Sequence, residues 1–359
     1  MLSINIQKNV NLAPYTTMKI GGRARFFVRA SHEHEIIEAV RFARSCGLDI
    51  FVLGGGSNVL ISDKGFEGVV LQIGLLGTKV QTLTADSEKD RKVELEIGDS
   101  VSVTVGAGEN WDEFVAFCVR NDLSGVECLS GIPGFVGGTP VQNVGAYGQE
   151  VAESIVSVRC LDLTTDEFID LTNDDCGFSY RTSIFNSVAV GRYIVTAVTF
   201  SLKKNGEPKI VYKDISQYFG RQKPSLNQVR NAVLEIRREK SMVIDDGDPN
   251  SKSAGSFFKN PIVSKQKFAA IAAMFEHVPC FPVNAESVKI PAAWLIENAG
   301  FHKGYVMGEA GISSKHTLAI INLGSASSAD IMKLKEEIQR AVEAKFGVGL
   351  TPEPIFIGF

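Results

Sequence analysis

The sequence predicts an α+β fold on three observations: helix patterns with recognisable caps, strand-like segments of alternating character, and an order of the two without sustained βαβ alternation or internal repeat. A chain of 359 residues with 44% hydrophobic and 22% charged content can build two or three domains, each with its own core. The net charge of −4 comes from 41 acidic and 37 basic residues without a long run of one sign. Nucleic acid and a membrane surface are therefore not expected partners.

Ser31 is placed to cap an amphipathic helix over 32–46, in which Ile36, Ile37, Val40 and Ala43 recur at helical spacing and Gly47 is the stop. His32 and His34 sit two apart at its start, so they are expected on the surface and on different sides of the helix. The apolar run 50–53 reads as a strand that breaks into Gly54-Gly55-Gly56-Ser57-Asn58 before apolar character returns at 59–61. Residues 93–108 alternate as paired strands do, with a turn near 98–100, and Asn110 then caps a helix to about residue 120. The stretch 129–148 is too rich in glycine and proline for regular structure, and a compact domain seldom keeps ~20 such residues unless they serve a ligand. Strands follow at 155–163 and 193–202. Ser225 and Gln228 form a capping box for a helix over 226–240 that leads towards another domain. The last helix, 329–346, puts Ile331, Leu334, Ile338 and Val342 on one face and stops at Gly347.

Three stretches carry candidate chemistry. In SAGSFFKNP (253–261), Ser256 follows Gly255 and precedes two phenylalanines, a setting for a hydroxyl in a dry pocket, with Lys259 and Asn260 close behind. A capped turn into a helix at Pro261 is the plainer alternative. The loop Gly54 to Asn58 fails the dinucleotide fingerprint because Val59 stands where the third glycine belongs. It can still present a row of backbone N–H groups to a pyrophosphate, or be an ordinary tight turn. The second loop allows close backbone approach at Gly131, Gly134, Gly137 and Gly138 and offers the amide side chains of Gln142 and Asn143. Two such loops suit a large, flat, phosphate-bearing cofactor such as FAD.

The six cysteines are scattered without metal-ligand spacing, so buried thiols are expected and no metal site. The start of the chain lacks a basic segment followed by an apolar one, and no apolar run approaches the ~18 residues of a membrane span, so a cytoplasmic location is expected.

The segments TTMKIGG (16–22), VLGGGSNVL (52–60), GIPGFVGGTPVQNVGAYG (131–148), FSYRTSIF (178–185), AGSFFKNP (254–261) and TPEP (351–354) together carry a resemblance. In this order, over nearly the whole chain, they are similar to the UDP-N-acetylenolpyruvoylglucosamine reductase (MurB) family of bacterial peptidoglycan synthesis. The resemblance implies a two-part FAD-binding domain of the vanillyl-alcohol oxidase type and a C-terminal α+β substrate-binding domain. It divides the chain into FAD subdomains at 1–76 and 77–224, a substrate domain with a connecting helix at 225–348, and a segment 349–359 that returns to the FAD-binding region. It also assigns non-covalent FAD to Gly54, Gly55, Gly56, Ser57, Asn58, Gly131, Ile132, Pro133, Gly134, Gly137, Gly138, Gln142, Asn143, Gly145 and Ala146.

The implied reaction uses NADPH to reduce the flavin, after which hydride passes to the terminal carbon of the enolpyruvyl ether of UDP-N-acetylglucosamine. The enolate so formed needs fixed groups at its carboxylate and a proton at carbon. The resemblance gives the first need to Arg181, whose guanidinium can bind a carboxylate by two parallel hydrogen bonds, and to Glu353, which has to be protonated or share a proton. It gives the second to Ser256. A surface ion pair for Arg181 and a solvated tail position for Glu353 are the plainer alternatives. Tyr180, Tyr212, Lys240, Asn260 and His316 match places that contact the nucleotide sugar or the cofactor, and His316 departs from the glutamine found there in some members. Tyr212 in its loop is similar to type I enzymes. Family analogy also implies a monomer. The competing readings are a flavin oxidase of the same fold and a silent nucleotide-sugar sensor. No histidine lies between 35 and 276 to tether a flavin, and a sensor has no use for a proton donor beside Arg181 and Glu353.

Overall fold

The computed structural model describes residues 4–82 and 100–359, so the expected strand start at 93 and most of the expected turn near 98–100 lie outside the described residues. The chain forms two compact, discontinuous units: 1–8, 26–55 and 68–238 make the first, and 9–25, 56–67 and 239–359 the second. The segments 9–25 and 56–67, expected within the flavin part, thus belong to the unit that also holds Ser256.

In the first unit, helix α1 (Glu33–Ser45) buries Ile36, Ala39, Val40 and Ala43, and the chain turns at Gly47 with φ of +63°. Its N-cap is His32, one residue after the expected Ser31, and the Glu35 carboxylate accepts from the amides of Ser31 (2.6 Å) and His32 (3.2 Å). This corrects the expectation for the histidines: His32 has extended backbone outside the helix, so its ring stacks on that of His34 at 5.4 Å, although both stay exposed. Strand Ile50–Leu53 pairs in parallel with residues 69–72. A larger antiparallel sheet runs in the order Glu167–Thr172, Ile155–Asp162, Tyr193–Lys204, Ser100–Gly106, Thr78–Thr82. Helix α2 (Trp111–Arg120) starts where the Asn110 side chain accepts from the Glu113 amide at 3.1 Å, and it buries Trp111, Phe114, Val115 and Val119. Trp111 packs near Phe114 and Phe200, joining helix to sheet in one core.

Helices α3 (Lys213–Phe219) and α4 (Leu226–Glu239) contribute Ile215, Phe219, Val229, Ala232 and Val233 to a satellite core with Cys128. The capping box of α4 is formed as expected, with the Ser225 amide 2.8 Å from Gln228 Oε1 and the Gln228 amide 3.3 Å from Ser225 Oγ. At the end of α4 the chain passes to the second unit.

The second unit holds helices α5 (Lys265–Ala272), α6 (Ala292–Asn298) and α7 (Ser328–Phe346) with three small sheets. Strand Val306–Met307 pairs with Ala310–Ile312, which pairs with Ile320–Asn322; Ile262–Ser264 and Phe281–Pro282 flank Ser287–Lys289; and Ile355–Ile357 pairs in parallel with Val59–Ile61. No helix begins at Pro261, where a strand runs instead. The α7 stripe Ile331, Leu334, Ile338 and Val342 is fully buried, each side chain contributing about 1.5–3 kcal/mol over exposure, and Gly347 ends the helix in the left-handed conformation.

Cys118, Cys128, Cys160 and Cys176 are buried, and burial pushes the thiols of Cys128 and Cys176 up to about 12, which disfavours the thiolate. Cys46 is exposed and Cys280 half-buried, contrary to the expectation of burial for all six. Among the described residues no group of metal-ligating side chains occurs, and no helix is long and apolar enough to cross a membrane.

Candidate functional site

In the first unit, the two glycine loops meet backbone to backbone. A Cβ on Gly55 would lie 2.7 Å from Gly134 Cα, and one on Gly137 would lie 2.5 Å from Ala107 Cβ. Gly131 and Gly134 also have φ of +72° and +126°, conformations that favour glycine. The amide of Gly131 donates to Asp112 Oδ1 (2.6 Å), that of Gly137 to Ala107 O (2.9 Å) and that of Gly138 to Phe135 O (3.0 Å). These glycines therefore build the loop before they can serve a ligand. Over Gly54 and Gly138 the situation is different, since an added Cβ would meet no atom within 4 Å. Those two faces are open, which leaves room for the close backbone approach of a flat cofactor, and in that respect the residues present fit FAD.

Asp112 secures this loop from the first turn of α2. Its carboxylate accepts the Gly131 amide and both Arg230 Nη1 (2.6 Å) and Nη2 (2.8 Å) from α4. Burial by itself would raise the Asp112 carboxyl, but the Arg230 side chain and the Gly131 amide outweigh it and hold the group below its ordinary value. Sequence reading had no signal for this residue, because its partners stand far along the chain.

Asn143 is buried with φ of +46°, and its side chain is spent internally. Its Nδ2 donates to Glu150 Oε2 (2.8 Å) and Ser179 O (3.0 Å), while its Oδ1 accepts from the Ala152 amide (3.2 Å). Gln142 and Ala146 are half-buried beside it, as are Ile132 and Pro133 earlier in the loop, and Gly145 is buried. Arg181 stands at the tip of a tight turn closed by Ser179 N to Thr182 O (2.9 Å) and Thr182 N to Ser179 O (3.1 Å). Its φ of +53° is a left-handed conformation that a long side chain seldom adopts, a strain of the kind that collects at functional sites. The guanidinium donates from Nη2 to Gly145 O (2.6 Å) and lies 5.5 Å from the Tyr180 ring centre. Tyr212 is the N-cap residue of α3, 41% exposed, with its ring edge-on to Tyr147 at 5.6 Å.

In the second unit, Gly255 (φ +74°) delivers Ser256 to a half-buried position ahead of the buried pair Phe257 and Phe258. The Phe257 amide donates to Leu318 O at 2.8 Å, and Ser256 Oγ lies 3.5 Å from His316 Nε2. The TPEP segment runs beside this stretch: Lys259 N donates to Thr351 O (2.9 Å) and Glu353 N to Phe257 O (2.9 Å). The Glu353 carbonyl in turn accepts from Asn58 Nδ2 at 3.3 Å. The structure therefore brings Ser256, His316, Glu353 and Asn58 onto one connected backbone frame within the second unit. Gly56 in the same unit is dictated by packing, since a Cβ there would lie 1.8 Å from Tyr15 O; Ser57 is half-buried between it and Asn58. Asn260 Oδ1 accepts the Ala292 amide at 2.8 Å and so caps α6. Lys240 follows the last turn of α4.

Comparison with known proteins supplies the family. Residues 248–357 match the description "UDP-N-acetylenolpyruvoylglucosamine reductase, C-terminal domain", and residues 24–172 match "FAD binding domain". The chain is 43% identical to the UDP-N-acetylenolpyruvoylglucosamine reductase of Thermobifida fusca, covering 99% of each chain. It is 40% identical to that of Streptomyces coelicolor over 97% of this chain and 89% of the other. The crystal structure of the reductase from Thermus caldophilus, at 24% identity, shares the fold with a TM-score of 0.64 over 99% of this chain and 100% of the other. Identity of this level over the full length of the curated relatives, with a matching FAD-binding domain, places the chain in the UDP-N-acetylenolpyruvoylglucosamine reductase (MurB) family.

Proposed function

We propose that Ser256 is the proton donor, and Arg181 and Glu353 the enolate-stabilising groups, of the family's reaction in this chain. That reaction is the NADPH-dependent, FAD-dependent reduction of UDP-N-acetylglucosamine enolpyruvate in peptidoglycan precursor synthesis. The observation that carries it is the full-length match at 43% identity to a reductase of this name. FAD held by the two glycine loops would supply the hydride, received from NADPH, for the terminal carbon of the enolpyruvyl group.

The chain's own residues manage charge and proton. As the enolate forms, negative charge spreads into the substrate carboxylate, and Arg181 answers it with a guanidinium fixed by the Gly145 carbonyl and by its turn. Glu353 is the second enolate-stabilising group, its backbone held at both N–H and C=O by Phe257 and Asn58. Ser256 then gives its hydroxyl proton to the substrate carbon. A serine is a weak acid, but an enolate built on an anionic substrate is a strong base, so a short proton transfer to carbon is feasible. Tyr180, Tyr212, Lys240, Asn260 and His316 contact the nucleotide sugar. The glycine loops bind FAD, with Gly54 and Gly138 giving the close approach.

Ser256→Ala tests the assignment. We expect normal reduction of the flavin by NADPH and a loss of about 10²-fold or more in turnover of the enolpyruvyl substrate. Near-normal turnover in the variant removes Ser256 from the mechanism.

A further inference from the structure

The loop that carries His316 is pinned on both sides. Before it, Asn250 Oδ1 accepts from Ser313 Oγ (3.1 Å), the Ser314 amide (2.9 Å) and Ser314 Oγ (3.1 Å), and Lys315 Nζ reaches Asp248 Oδ2 at 3.3 Å. After it, the Thr317 hydroxyl donates to Glu297, and the Leu318 carbonyl accepts the Phe257 amide at 2.8 Å. The last bond ties this loop to the residue that follows Ser256. A ring held in this way, with its Nε2 atom 3.5 Å from Ser256 Oγ, has its position set by the fold before substrate arrives. The direction of that contact decides its effect. An accepting Nε2 would draw the serine proton away from substrate, whereas a donating Nε2–H leaves that proton available and stabilises the oxygen left behind.

We propose that His316 is a positioning residue for Ser256: its Nε2–H donates to Ser256 Oγ, turns the hydroxyl proton towards the substrate carbon and stabilises the alkoxide. The proposal rests on the reading of Ser256 as proton donor. In the step itself the Ser256 O–H bond breaks, its electron pair stays on Oγ, and the new C–H bond takes up the electron pair of the enolate. The alkoxide, still held by the His316 N–H, regains a proton from solvent.

The test uses the full protein with bound flavin reduced anaerobically by NADPH and then mixed with the enolpyruvyl substrate. His316→Ala is expected to leave the NADPH step unchanged and to slow reoxidation about tenfold or more. His316→Gln, which keeps an N–H donor at a similar reach, is expected to recover most of that loss. The double variant Ser256→Ala/His316→Ala is expected to be no slower than Ser256→Ala alone, because the histidine acts only through the serine. Nitrogen NMR of histidine-labelled protein is expected to show His316 protonated at Nε2. Wild-type reoxidation in His316→Ala, a glutamine variant as slow as alanine, additive losses in the double variant, or a neutral ring protonated only at Nδ1 each overturn the proposal. Wild-type rates in Ser256→Ala would instead sink the reading beneath it. A slow Ser256→Ala beside a normal His316→Ala sinks the histidine proposal alone.

Discussion

Arg181 shows how a single residue can be made specific by its backbone. Its φ of +53° and the bond from Nη2 to Gly145 O fix the direction of the guanidinium. A lysine at this position keeps the charge but loses the fork, so it cannot serve the Gly145 carbonyl and a substrate carboxylate together. Arg181→Lys is expected to lower kcat/KM for the enolpyruvyl substrate by about 10- to 100-fold while flavin reduction by NADPH stays normal. Equal losses in both half-reactions would place Arg181 elsewhere. The motifs holding Ser256, Arg181 and Glu353 were legible in the sequence because each is short and local. The tasks of Asn143 and Asn260 were not: their side chains bond to Ser179 and Ala292, 36 and 32 residues away, and no local pattern reports such a pairing. Arg181, for which a surface ion pair was the plainer alternative, donates to a backbone carbonyl.

At the scale of elements, most local signals held, the cap of α1 excepted, and long-range ones stayed hidden. The caps of α2 and α4 were readable since donor and acceptor stand three residues apart. The pairing of Ser100–Gly106 with Tyr193–Lys204 was not, because alternation identifies a strand but not its neighbour. The same holds for Asp112, which joins α2 to Arg230 on α4 and to Gly131 of the glycine loop. Asp112→Asn leaves a largely buried guanidinium with a weaker partner and is expected to destabilise the first unit by about 1–3 kcal/mol and to loosen flavin retention. The pH dependence has a definite sign. The folded carboxyl is held below its ordinary value, so its stabilisation is complete above about pH 4 and disappears as pH falls through the folded value. Melting curves of the wild type and Asp112→Asn should therefore differ by a constant amount near neutrality and converge in acid. A gap that widens in acid would contradict the assignment.

For the whole molecule, an α+β chain with a flavin part and a separate substrate part was anticipated, and the FAD-binding and C-terminal reductase matches agree with it. The resemblance implied a return of 349–359 to the FAD-binding region, but not which early segments fold with the C-terminal residues. Segments 9–25 and 56–67 fold with the C-terminal residues, and strand Ile355–Ile357 finds its parallel partner at Val59–Ile61, far back along the chain. Composition and periodicity carry no record of such returns. These returns put Asn58 against the backbone of Glu353. One anaerobic titration of the purified protein tests the central claim most directly. The account predicts a yellow flavin spectrum that bleaches with NADPH and recovers, mole for mole, on addition of UDP-N-acetylglucosamine enolpyruvate. A colourless protein, or a reduced flavin that this substrate leaves bleached, would contradict it.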